Sequence, residues 1–476
     1  MNTPAGVQPV VRRSELPPAG TAPEQESYYE AHRKVYPREV KGRYTSLRHL
    51  AVWVLLGVFY GAPWLQWNGR QAILFDLPAR KFYLYGLTLW PQDFIFLTWL
   101  LVIAALSLFF FTAIGGRLWC GYACPQTVWT EAFLWMEKVT EGDRSRRMKL
   151  DQAPWSADKL ARKSAKQFLW VTFAACTGFT FVGFFTPIHT LASAIFTATL
   201  GSWETFWVLF YGVATYGNAG FLREQVCKYM CPYARFQSAM FDRDTLVVTY
   251  DAERGEPRGG RKKGADPRTA GLGDCTDCTL CVQVCPTGID IRKGLQYECI
   301  ACAACIDACD EVMDKVGYPR GLIRYDTQHG LEGRAKKVVR ARTIVYASLL
   351  ALLVTGFAVT LSNRSVVAVD VIRDRNALFR ERADGRIENV YNVKILNKDR
   401  EAHEFRIAAS GVPGLEVDYA GPTVWVAPGA VQGVPVRIRV PRGSLQGGAD
   451  LEVGIEAVNR PDLKASGRAR FIAPTD

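Results

Sequence analysis

Five windows of the chain are apolar over about 20 residues and carry almost no charge, which is the length that a helix needs to cross a bilayer. They run from Leu47 to Trp67, Phe94 to Ile114, Phe168 to Pro187, Trp203 to Phe221 and Thr343 to Leu361. One such window could be a buried helix, but five in one chain predict a multidomain membrane protein with a polytopic α-helical bundle of five spans. The stretch Thr190 to Leu200 leaves four or six spans as alternatives, because it could extend the third or the fourth.

Beyond Leu361 the hydrophobic pattern changes to the two-residue period of strands. In two runs apolar residues alternate with polar or small ones, and the apolar positions are Val434, Val436, Ile438 and Val440, then Leu451, Val453, Ile455 and Ala457. Several short runs separated by turn residues predict an antiparallel β-sandwich of immunoglobulin-like type. This segment contains neither cysteine nor methionine, which favours an interaction role over soft-metal binding.

The net charge is +12, and its distribution along the chain predicts the orientation of the spans. Lys and Arg are dense before the first span and between residues 115 and 167, which favours the cytoplasmic side for both segments. The loop 68–93 carries only Arg70, Arg80 and Lys81, and the loop 188–202 carries none, so both are expected outside. Because topology accounts for most of the charge, no nucleic-acid partner is expected.

The chain therefore divides into five segments. Residues 1–46 are polar and proline-rich, have no signal-peptide core, and are expected to form a cytoplasmic tail that is disordered to about Tyr28. Four spans occupy residues 47–241, a cysteine-rich cytoplasmic segment 242–342, the fifth span 343–362 and an outer, periplasmic domain 363–476. The first span is then an uncleaved membrane anchor.

All thirteen cysteines lie between Cys120 and Cys309, and all but Cys176 fall on the side predicted to face the reducing cytoplasm, where cysteine groups bind metals more often than they form disulfides. Eight of them form two runs with C-x2-C-x2-C-x3-C spacing: Cys275, Cys278, Cys281 and Cys285 before Pro286, and Cys299, Cys302, Cys305 and Cys309 before Asp310, where proline is usual. Bacterial ferredoxins with two [4Fe–4S] clusters have this spacing, and the fourth cysteine of each run binds the other cluster.

The expected ligand sets are therefore Cys275, Cys278, Cys281 and Cys309 for the first cluster, and Cys299, Cys302, Cys305 and Cys285 for the second. Structural zinc is the alternative, but zinc usually takes two C-x2-C pairs rather than three cysteines in step. The segment 242–342 is thus predicted to be an inserted ferredoxin-like domain with two [4Fe–4S] clusters.

Four further cysteines form a repeated C-x3-C-P motif. Cys120 and Cys124 follow the second span, and Cys227 and Cys231 follow the fourth. Two related helical units would bring these four thiols together at the cytoplasmic membrane surface. Four thiolates suit a third iron–sulfur cluster or soft Cu(I), and a redox dithiol is a further alternative. Cys176, alone in the third span, is expected to be a small packing residue.

The sequence gives little evidence for other cofactors. The five histidines are dispersed, and His49 and His189 fall at opposite ends of their spans, so a shared haem iron is not expected. No glycine-rich nucleotide fingerprint follows a strand, and no hydrolase motif is present.

With five spans, two C-x3-C-P motifs, an eight-cysteine ferredoxin segment and an outer immunoglobulin-like domain in this order, the chain resembles the CcoG/FixG/RdxA family of membrane accessory proteins of cbb-type cytochrome c oxidases. The resemblance implies a bacterial inner-membrane protein that acts in oxidase maturation by reducing Cu(II) to Cu(I). It implies copper ions, copper chaperones or oxidase subunits as partners. Cys120, Cys124, Cys227 and Cys231 would then form the catalytic redox or copper site, supplied by the ferredoxin clusters.

Two other functions stay open at the level of sequence. The membrane motif is also similar to that of polyferredoxin subunits of quinol-linked reductases, so the chain could carry electrons between quinol and a ferredoxin partner. Alternatively, it could be a scaffold that gathers oxidase-assembly proteins through its outer domain. The sequence does not indicate the cytoplasmic electron donor.

Overall fold

The computed structural model describes residues 34–261, 271–399, 401–445 and 447–474. Along the chain, helices alternate with short strands and are followed by a C-terminal β-domain. The helices in these residues are α1 (Arg43–Gly61), α2 (Phe94–Gly115), α3 (Leu118–Tyr122), α4 (Pro125–Glu141), α5 (Arg144–Gln152), α6 (Ala157–Val182), α7 (Ile188–Phe196), α8 (Ser202–Thr215), α9 (Pro232–Met240), α10 (Ala252–Gly255), α11 (Leu280–Gln283), α12 (Ala304–Val316), α13 (Gln328–Leu331) and α14 (Ala341–Ser362). The start of the tail, predicted to be disordered up to Tyr28, lies outside the described residues.

Each predicted span coincides with a helix, namely α1, α2, α6, α8 and α14. Three helical segments in the described residues are long and apolar enough to cross a bilayer, Arg43–Trp64, Pro91–Gly115 and Ala341–Ser362, so the protein is a membrane protein. The first turns of α6 carry Lys159 and Lys166, and α8 has only 14 residues, so the crossing of these two helices stays a prediction.

Helices α6 and α8 pack closely because small residues face each other. Ala174 and Gly178 lie one turn apart in α6, and a Cβ at Gly178 would collide with the carbonyl oxygen of Val208 in α8. On the other side, a Cβ at Gly212 would lie 3.4 Å from the carbonyl oxygen of Ala174. Close backbone approach through small residues at four-residue spacing is typical of helix pairs in membranes.

Helix α8 continues into π-helical turns at Tyr216–Leu222 and Val226–Met230. These wider turns carry the chain to the second C-x3-C-P motif, and π-helical turns are frequent at functional sites. The stretch Thr190 to Leu200, which left the number of spans open, falls mostly in the separate helix α7. Because turns flank α7 on both sides, it extends neither neighbouring helix.

The strands of the described residues form three groups along the chain. The connection between α1 and α2 contains β1 (Gln66–Trp67), β2 (Arg70–Gln71), β3 (Ile73–Asp76), β4 (Lys81–Leu84) and β5 (Leu87–Leu89). The cysteine-rich segment contains β6 (Val247–Tyr250) and β7 (Ile323–Asp326). The C-terminal domain contains β8 (Val367–Arg373), β9 (Arg380–Glu381), β10 (Arg386–Asn397), β11 (His403–Ser410), β12 (Glu416–Asp418), β13 (Val424–Val426), β14 (Val431–Pro441), β15 (Gly448–Ala457) and β16 (Lys464–Ile472). Strands β6 and β7 pair antiparallel, which joins the two ends of the cysteine-rich segment.

The C-terminal domain is a sandwich of two antiparallel sheets. One has the order β12-β14-β10-β8, with β9 also paired to β10, and the other has the order β13-β11-β15-β16. The alternation found in the sequence is confirmed, because Val436, Ile438, Val453 and Ile455 are all buried between the sheets. Tyr391 is fully buried among them. The predicted immunoglobulin-like sandwich is therefore present.

A small meander, β3-β4-β5, occupies the loop between α1 and α2, which sequence analysis described only as a loop. The N–H of Phe75 donates to the carbonyl oxygen of Phe184 (2.7 Å), which ties this meander to the end of α6. Strands of three or four residues leave too short a pattern for the two-residue period to be recognised. The meander marks the end of the bundle that carries the C-terminal domain.

Asp93, just before α2, joins two spans to the C-terminal domain. Its buried carboxylate binds Arg364, which follows α14, at 2.5 Å and Lys398 of the sandwich at 3.0 Å. Lys81 adds a second contact by donating to the carbonyl oxygen of Gly429 (2.9 Å). Removing one partner of a buried ion pair costs about 3–5 kcal/mol, so the domain is held firmly against this end of the helices.

At the opposite end, the cysteine-rich segment docks onto the start of α1. Asp307 of α12 accepts hydrogen bonds from the N–H groups of Tyr44 (3.2 Å) and Thr45 (2.7 Å) and from the Thr45 hydroxyl (2.8 Å). The first N–H groups of a helix have no partner within it, so Asp307 caps α1 from a different part of the chain. Gly42 permits this approach, because a Cβ there would collide with the Asp307 carboxyl group.

A buried network of charges fixes the helices around this end of the molecule. Glu137 and Glu141 of α4 are almost completely buried. Arg147 and Arg223 bind Glu137 at 2.9 and 2.6 Å, and Lys166 binds Glu141 at 2.9 Å. Burial opposes the ionisation of Glu137, but the neighbouring cations hold its pKa below its usual value. The network therefore links α4, α5, α6 and the π-helical turn after α8.

Replacing Gly178 by alanine is expected to lower the melting temperature of the detergent-solubilised protein, because the added methyl group pushes α6 away from α8. Overpacking of this kind costs about 1–3 kcal/mol. The matched control is Gly57→Ala in α1, where an added Cβ meets no atom within 4 Å. Equal melting temperatures for the two variants would contradict the close α6–α8 packing.

Candidate functional site

The structure places the ferredoxin cysteines around two cavities of similar size. The first, of about 360 Å³ including its opening to solvent, is lined by Cys275, Cys278, Cys281 and Cys309. The second, of about 340 Å³, is lined by Cys285, Cys299, Cys302 and Cys305. Each cavity thus combines three cysteines of one run with the fourth of the other, the same grouping as the ligand sets expected from the spacing.

The two halves of the segment also share a backbone conformation between their cysteines. Asp277 and Thr279 have positive φ angles of 53° and 57°, and Ala301 and Ala303, at the matching positions, have 53° and 60°. Successive left-handed and right-handed residues turn neighbouring N–H groups toward one side of the chain and form a concave site for an anion. A cluster bound by four thiolates is such an anionic group.

Backbone donors reach the cysteine sulfurs in the second cavity. The N–H of Ala301 donates to Cys299, and the N–H of Ala304 donates to Cys302. Burial raises the pKa of Cys299 and of Cys309 to about 12. A thiol in such surroundings becomes a thiolate ligand when a metal cation compensates its charge. The residues present therefore fit two four-iron clusters.

The two cavities adjoin, because Cys281 borders both. The first is nearer the surface, since Cys278 is exposed. Asp310, which replaces the usual proline, lies inside α12, and the helix continues past Cys309 without a break. A proline would interrupt that helix. The Asp310 carboxylate instead accepts a hydrogen bond from the N–H of Gly321 (2.9 Å).

The two C-x3-C-P motifs take the same local form. Cys124 and Cys231 have extended backbone and precede the prolines that begin α4 and α9. Proline suits the first turn of a helix because no N–H is needed there. The N–H groups of Gln126 and Thr127 donate to the sulfur of Cys124. This sulfur therefore lies at a helix N-terminus, where negative charge is stabilised.

The four motif cysteines come together into what we term the membrane thiol group: Cys120, Cys124, Cys227 and Cys231. Cys120 interacts electrostatically with the other three. Burial and these neighbours raise the pKa of Cys120 to about 12 and that of Cys227 to about 11, while Arg117 opposes the rise. The Cys120 thiol donates to Oε1 of Gln237 at 3.3 Å. The repeat in sequence thus brings the four thiols near one another, but within the described residues no three of them are close enough to hold a single metal ion.

The membrane thiol group lies directly against the second cavity. A Cβ at Gly121 would lie 2.8 Å from the carbonyl oxygen of Ile300 and 3.0 Å from Cα of Cys302, so the two backbones are in contact. Cys120 packs in the same apolar group as Ile300, Cys302 and Cys305. The order from the exposed edge at Cys278 inward is therefore first cavity, second cavity, membrane thiol group.

Arg117 lies beside the membrane thiol group, and no motif in the sequence marks it. It is buried after α2 and donates to the carbonyl oxygens of Ala234 and Tyr297, which belong to α9 and to the ferredoxin segment. Its charge acts on the thiols of Cys120, Cys227 and Cys299. The only signal in the sequence is its position three residues before a motif cysteine, and the basic residues that surround it in the segment 115–167 make this position inconspicuous.

The remaining candidate residues lie apart from this centre. Cys176 is exposed on α6. His49 contacts Glu131 at 3.4 Å near the start of α1, whereas the His189 ring packs on Trp64 (5.2 Å between centroids) just after the end of that helix. Within the described residues, no three His, Cys, Asp or Glu side chains are grouped closely enough to hold a single metal ion.

Comparisons with known proteins agree with this arrangement. Three family models match the chain: a 4Fe-4S binding domain at residues 97–142, a 4Fe-4S dicluster domain at 222–328 and an IG-like fold at the C-terminus of FixG at 357–474. The nitrogen fixation protein FixG of Rhizobium meliloti is 39% identical over 479 residues and 90% of each chain. Protein RdxA of Cereibacter sphaeroides is 39% identical over 88% of this chain and 92% of its own. The crystal structure of a FixG-related protein from Vibrio parahaemolyticus, 25% identical, covers 23% of this chain and 97% of that one with a TM-score of 0.21.

The fold and the site together define a membrane-bound iron–sulfur electron-transfer protein with two [4Fe–4S] clusters. Because relatives this similar cover about nine-tenths of its length, the chain belongs to the FixG/RdxA family. The matched 4Fe-4S binding domain includes Cys120 and Cys124, and the dicluster domain includes Cys227 and Cys231 together with the eight ferredoxin cysteines.

Replacing Cys309 by serine is expected to remove about four irons per chain, because this cysteine completes the first cavity and each cluster holds four. Iron analysis and electron paramagnetic resonance of the reduced protein measure the loss. Cys176→Ser, which changes an exposed cysteine far from the site, should keep the full iron content. Full iron in Cys309→Ser would show that the crossed ligand set is incorrect.

Replacing Arg117 by glutamine is expected to lower the midpoint potential of the second cluster by on the order of 50 mV, because loss of about 1 kcal/mol of attraction for the added electron shifts a one-electron couple by this amount. Arg117→Lys keeps the charge and should restore most of the potential. A redox titration followed by electron paramagnetic resonance compares the three proteins. Equal potentials in all three would exclude an electrostatic role for Arg117.

Proposed function

We propose that this protein reduces Cu(II) to Cu(I) and thereby serves the maturation of a cbb-type cytochrome c oxidase. The observation that supports this proposal is the contact between the membrane thiol group and the second ferredoxin cavity at Gly121 and Ile300. A continuous series of redox-competent cysteine sites thus leads from an exposed cytoplasmic edge to four soft donors at the membrane. Copper chaperones or oxidase subunits are the proposed recipients of the Cu(I).

The chemistry of the membrane thiol group supports copper as the substrate. Thiolate and thioether ligands favour Cu(I) over Cu(II), so a site that contains them lowers the free energy of the reduced ion. Cys227 and Cys231 flank Met230, whose side chain is exposed and adds a thioether at the same surface. The clusters supply one electron at a time, which is what the reduction of one Cu(II) requires. No general acid or base is needed.

We further propose five spans in a bacterial inner membrane, with the N-terminus and the clusters in the cytoplasm and the sandwich in the periplasm. Helix α1 begins at one end of the molecule, whereas α2 begins and α14 ends at the other. One end carries Asp307 and the ferredoxin segment, and the other carries Asp93 and the sandwich. The close packing at Gly178 and the basic loop 115–167 support membrane crossing by α6 and α8.

This function is tested by reducing the protein with dithionite under anaerobic conditions, removing the excess dithionite and then adding Cu(II). A Cu(I)-selective chelator reports the product. Simultaneous replacement of Cys120, Cys124, Cys227 and Cys231 by serine is expected to lower the rate at least about tenfold, because the electron then reaches no soft ligand. The matched control is Cys176→Ser, which should keep the rate.

Iron is counted in every variant, so that loss of copper reduction is separated from loss of the ferredoxin clusters. If the intact protein with reduced clusters forms no Cu(I), copper reduction is excluded. If the serine variant keeps the eight ferredoxin irons and the full rate, the membrane thiol group is not the copper site.

A further inference from the structure

A large cavity lies between α1 and α4, on the side of the second cluster cavity that faces the membrane. Its volume is about 490 Å³, which lies within the range of roughly 300–1,000 Å³ that is typical of ligand pockets. Val52 and Leu56 of α1, Ala132 of α4 and Phe173 of α6 form its apolar wall. The cavity takes no part in the thiol chemistry described above.

Two tryptophans stand at the mouth of this cavity. Trp53 and Trp135 pack edge to face with their ring centroids 6.5 Å apart, and their side chains are 65% and 54% exposed. Tryptophan at such a position is typical of the membrane–water interface. The cavity therefore opens at the level where an amphiphilic molecule can enter from the lipid with its polar head near the cytoplasm.

The inner end of the cavity is polar. His49 Nε2 contacts Glu131 at 3.4 Å, and Arg48 binds the same carboxylate. Arg48 is 7% exposed, and its Nε has no hydrogen-bond partner within the part of the chain that the structure describes. The cavity thus offers a buried hydrogen-bond donor beside an imidazole–carboxylate pair that can accept protons.

The far wall of the cavity is the wall of the second cluster cavity. Val284 and Pro286 line the large cavity, while Cys285 between them lines the cluster cavity. The Arg48 charge acts on Cys285 and Cys302 as well as on Glu131. A positive charge here stabilises an added electron and raises the reduction potential of the second cluster. A ligand at the polar end would therefore be separated from the cluster by one segment of chain.

The charges in the lining favour a neutral ligand over an anionic one. Three of the cations that line the cavity are each bound to a carboxylate: Arg48 to Glu131, Lys138 to Glu39 (2.6 Å) and Arg147 to Glu137 (2.9 Å). A phosphate headgroup would have to displace these carboxylates or lie beside them. A neutral ring whose oxygen atoms exchange protons carries no negative charge that these carboxylates would repel.

We propose that this cavity binds an isoprenoid quinol and that the quinol is the electron donor of the protein, an inference that rests on the proposed function. Oxidation of one quinol to quinone releases two electrons and two protons. The two clusters each accept one electron. Half-exposed His49 accepts the protons one at a time and returns them to the cytoplasmic side, while the Glu131 carboxylate holds the imidazole in place. Two Cu(II) ions are then reduced for each quinol.

Direct binding of a decyl-tailed quinone to the full-length protein in detergent tests the site without reference to copper. Tryptophan fluorescence quenching gives the dissociation constant. Ala132→Phe fills the cavity and is expected to weaken binding at least about tenfold. The control is Val139→Phe, which adds the same ring to an exposed position of α4 and should bind normally. Equal binding by the two variants would overturn the proposal.

A second measurement follows electron transfer from decyl-tailed quinol to the oxidised clusters by electron paramagnetic resonance under anaerobic conditions. Glu131→Gln keeps the size of the side chain but removes the carboxylate that holds the proton-accepting His49, and should slow this reduction at least about tenfold. Reduction by dithionite should be unaffected. The assignment would be overturned by unchanged quinol-driven reduction in Glu131→Gln. It would also be overturned if the cavity retained anionic phospholipid and excluded quinone.

These outcomes are independent of the copper assay, which starts from dithionite-reduced clusters. Failure of quinone binding with normal Cu(II) reduction rejects only the quinol site. Normal quinol-driven cluster reduction without Cu(I) formation rejects only copper as the acceptor.

Discussion

The ferredoxin segment and the helices are held together by buried polar groups that find their partners only across the contact between them. Asp307 accepts the free N–H groups at the start of α1, and Arg117 donates to carbonyl oxygens of Ala234 and Tyr297. Removing one partner while the contact stays closed would leave a buried polar group unpaired, at a cost of about 1–3 kcal/mol or more for a charged group. The distance between the cysteine sites is therefore set by hydrogen bonding rather than by the length of a linker.

The contact between the ferredoxin segment and the helices also determines the charge around the cysteines. Buried thiols resist ionisation, and a bound cluster or copper ion adds further charge to an environment of low dielectric constant. Arginines from three separate parts of the chain counter this cost: Arg48 from α1, Arg117 after α2 and Arg292 beside Cys281. Arg292 acts on the first cluster cavity, Arg48 on the second, and Arg117 on both the second cavity and the membrane thiol group. The docking contact that positions the sites thus also supplies the positive charge that lets them carry electrons.

The cysteine spacing was sufficient to predict which residues gather around each cavity, because three ligands lie within one turn-rich segment and the fourth follows from the pseudo-symmetry of the two halves. The strands around Val436 and Ile438 were predictable for a similar reason, since each alternation is local. Arg117 and Asp307 were not predictable, because their partners are distant in the sequence and their residue types are common in loops. The cavity beside Glu131 likewise depends on how α1 and α4 pack, which no local pattern records.

The attachment of the C-terminal sandwich has a consequence for how it meets other molecules. Asp93 joins the ends of two membrane helices to Lys398 of the sandwich, and Lys81 binds the loop at Gly429. The sandwich is therefore a fixed platform at constant height above the lipid rather than a domain on a tether. A molecule that binds the sandwich no longer diffuses in three dimensions but moves with the protein in the plane of the membrane. Encounters with other membrane proteins are then governed by lateral diffusion.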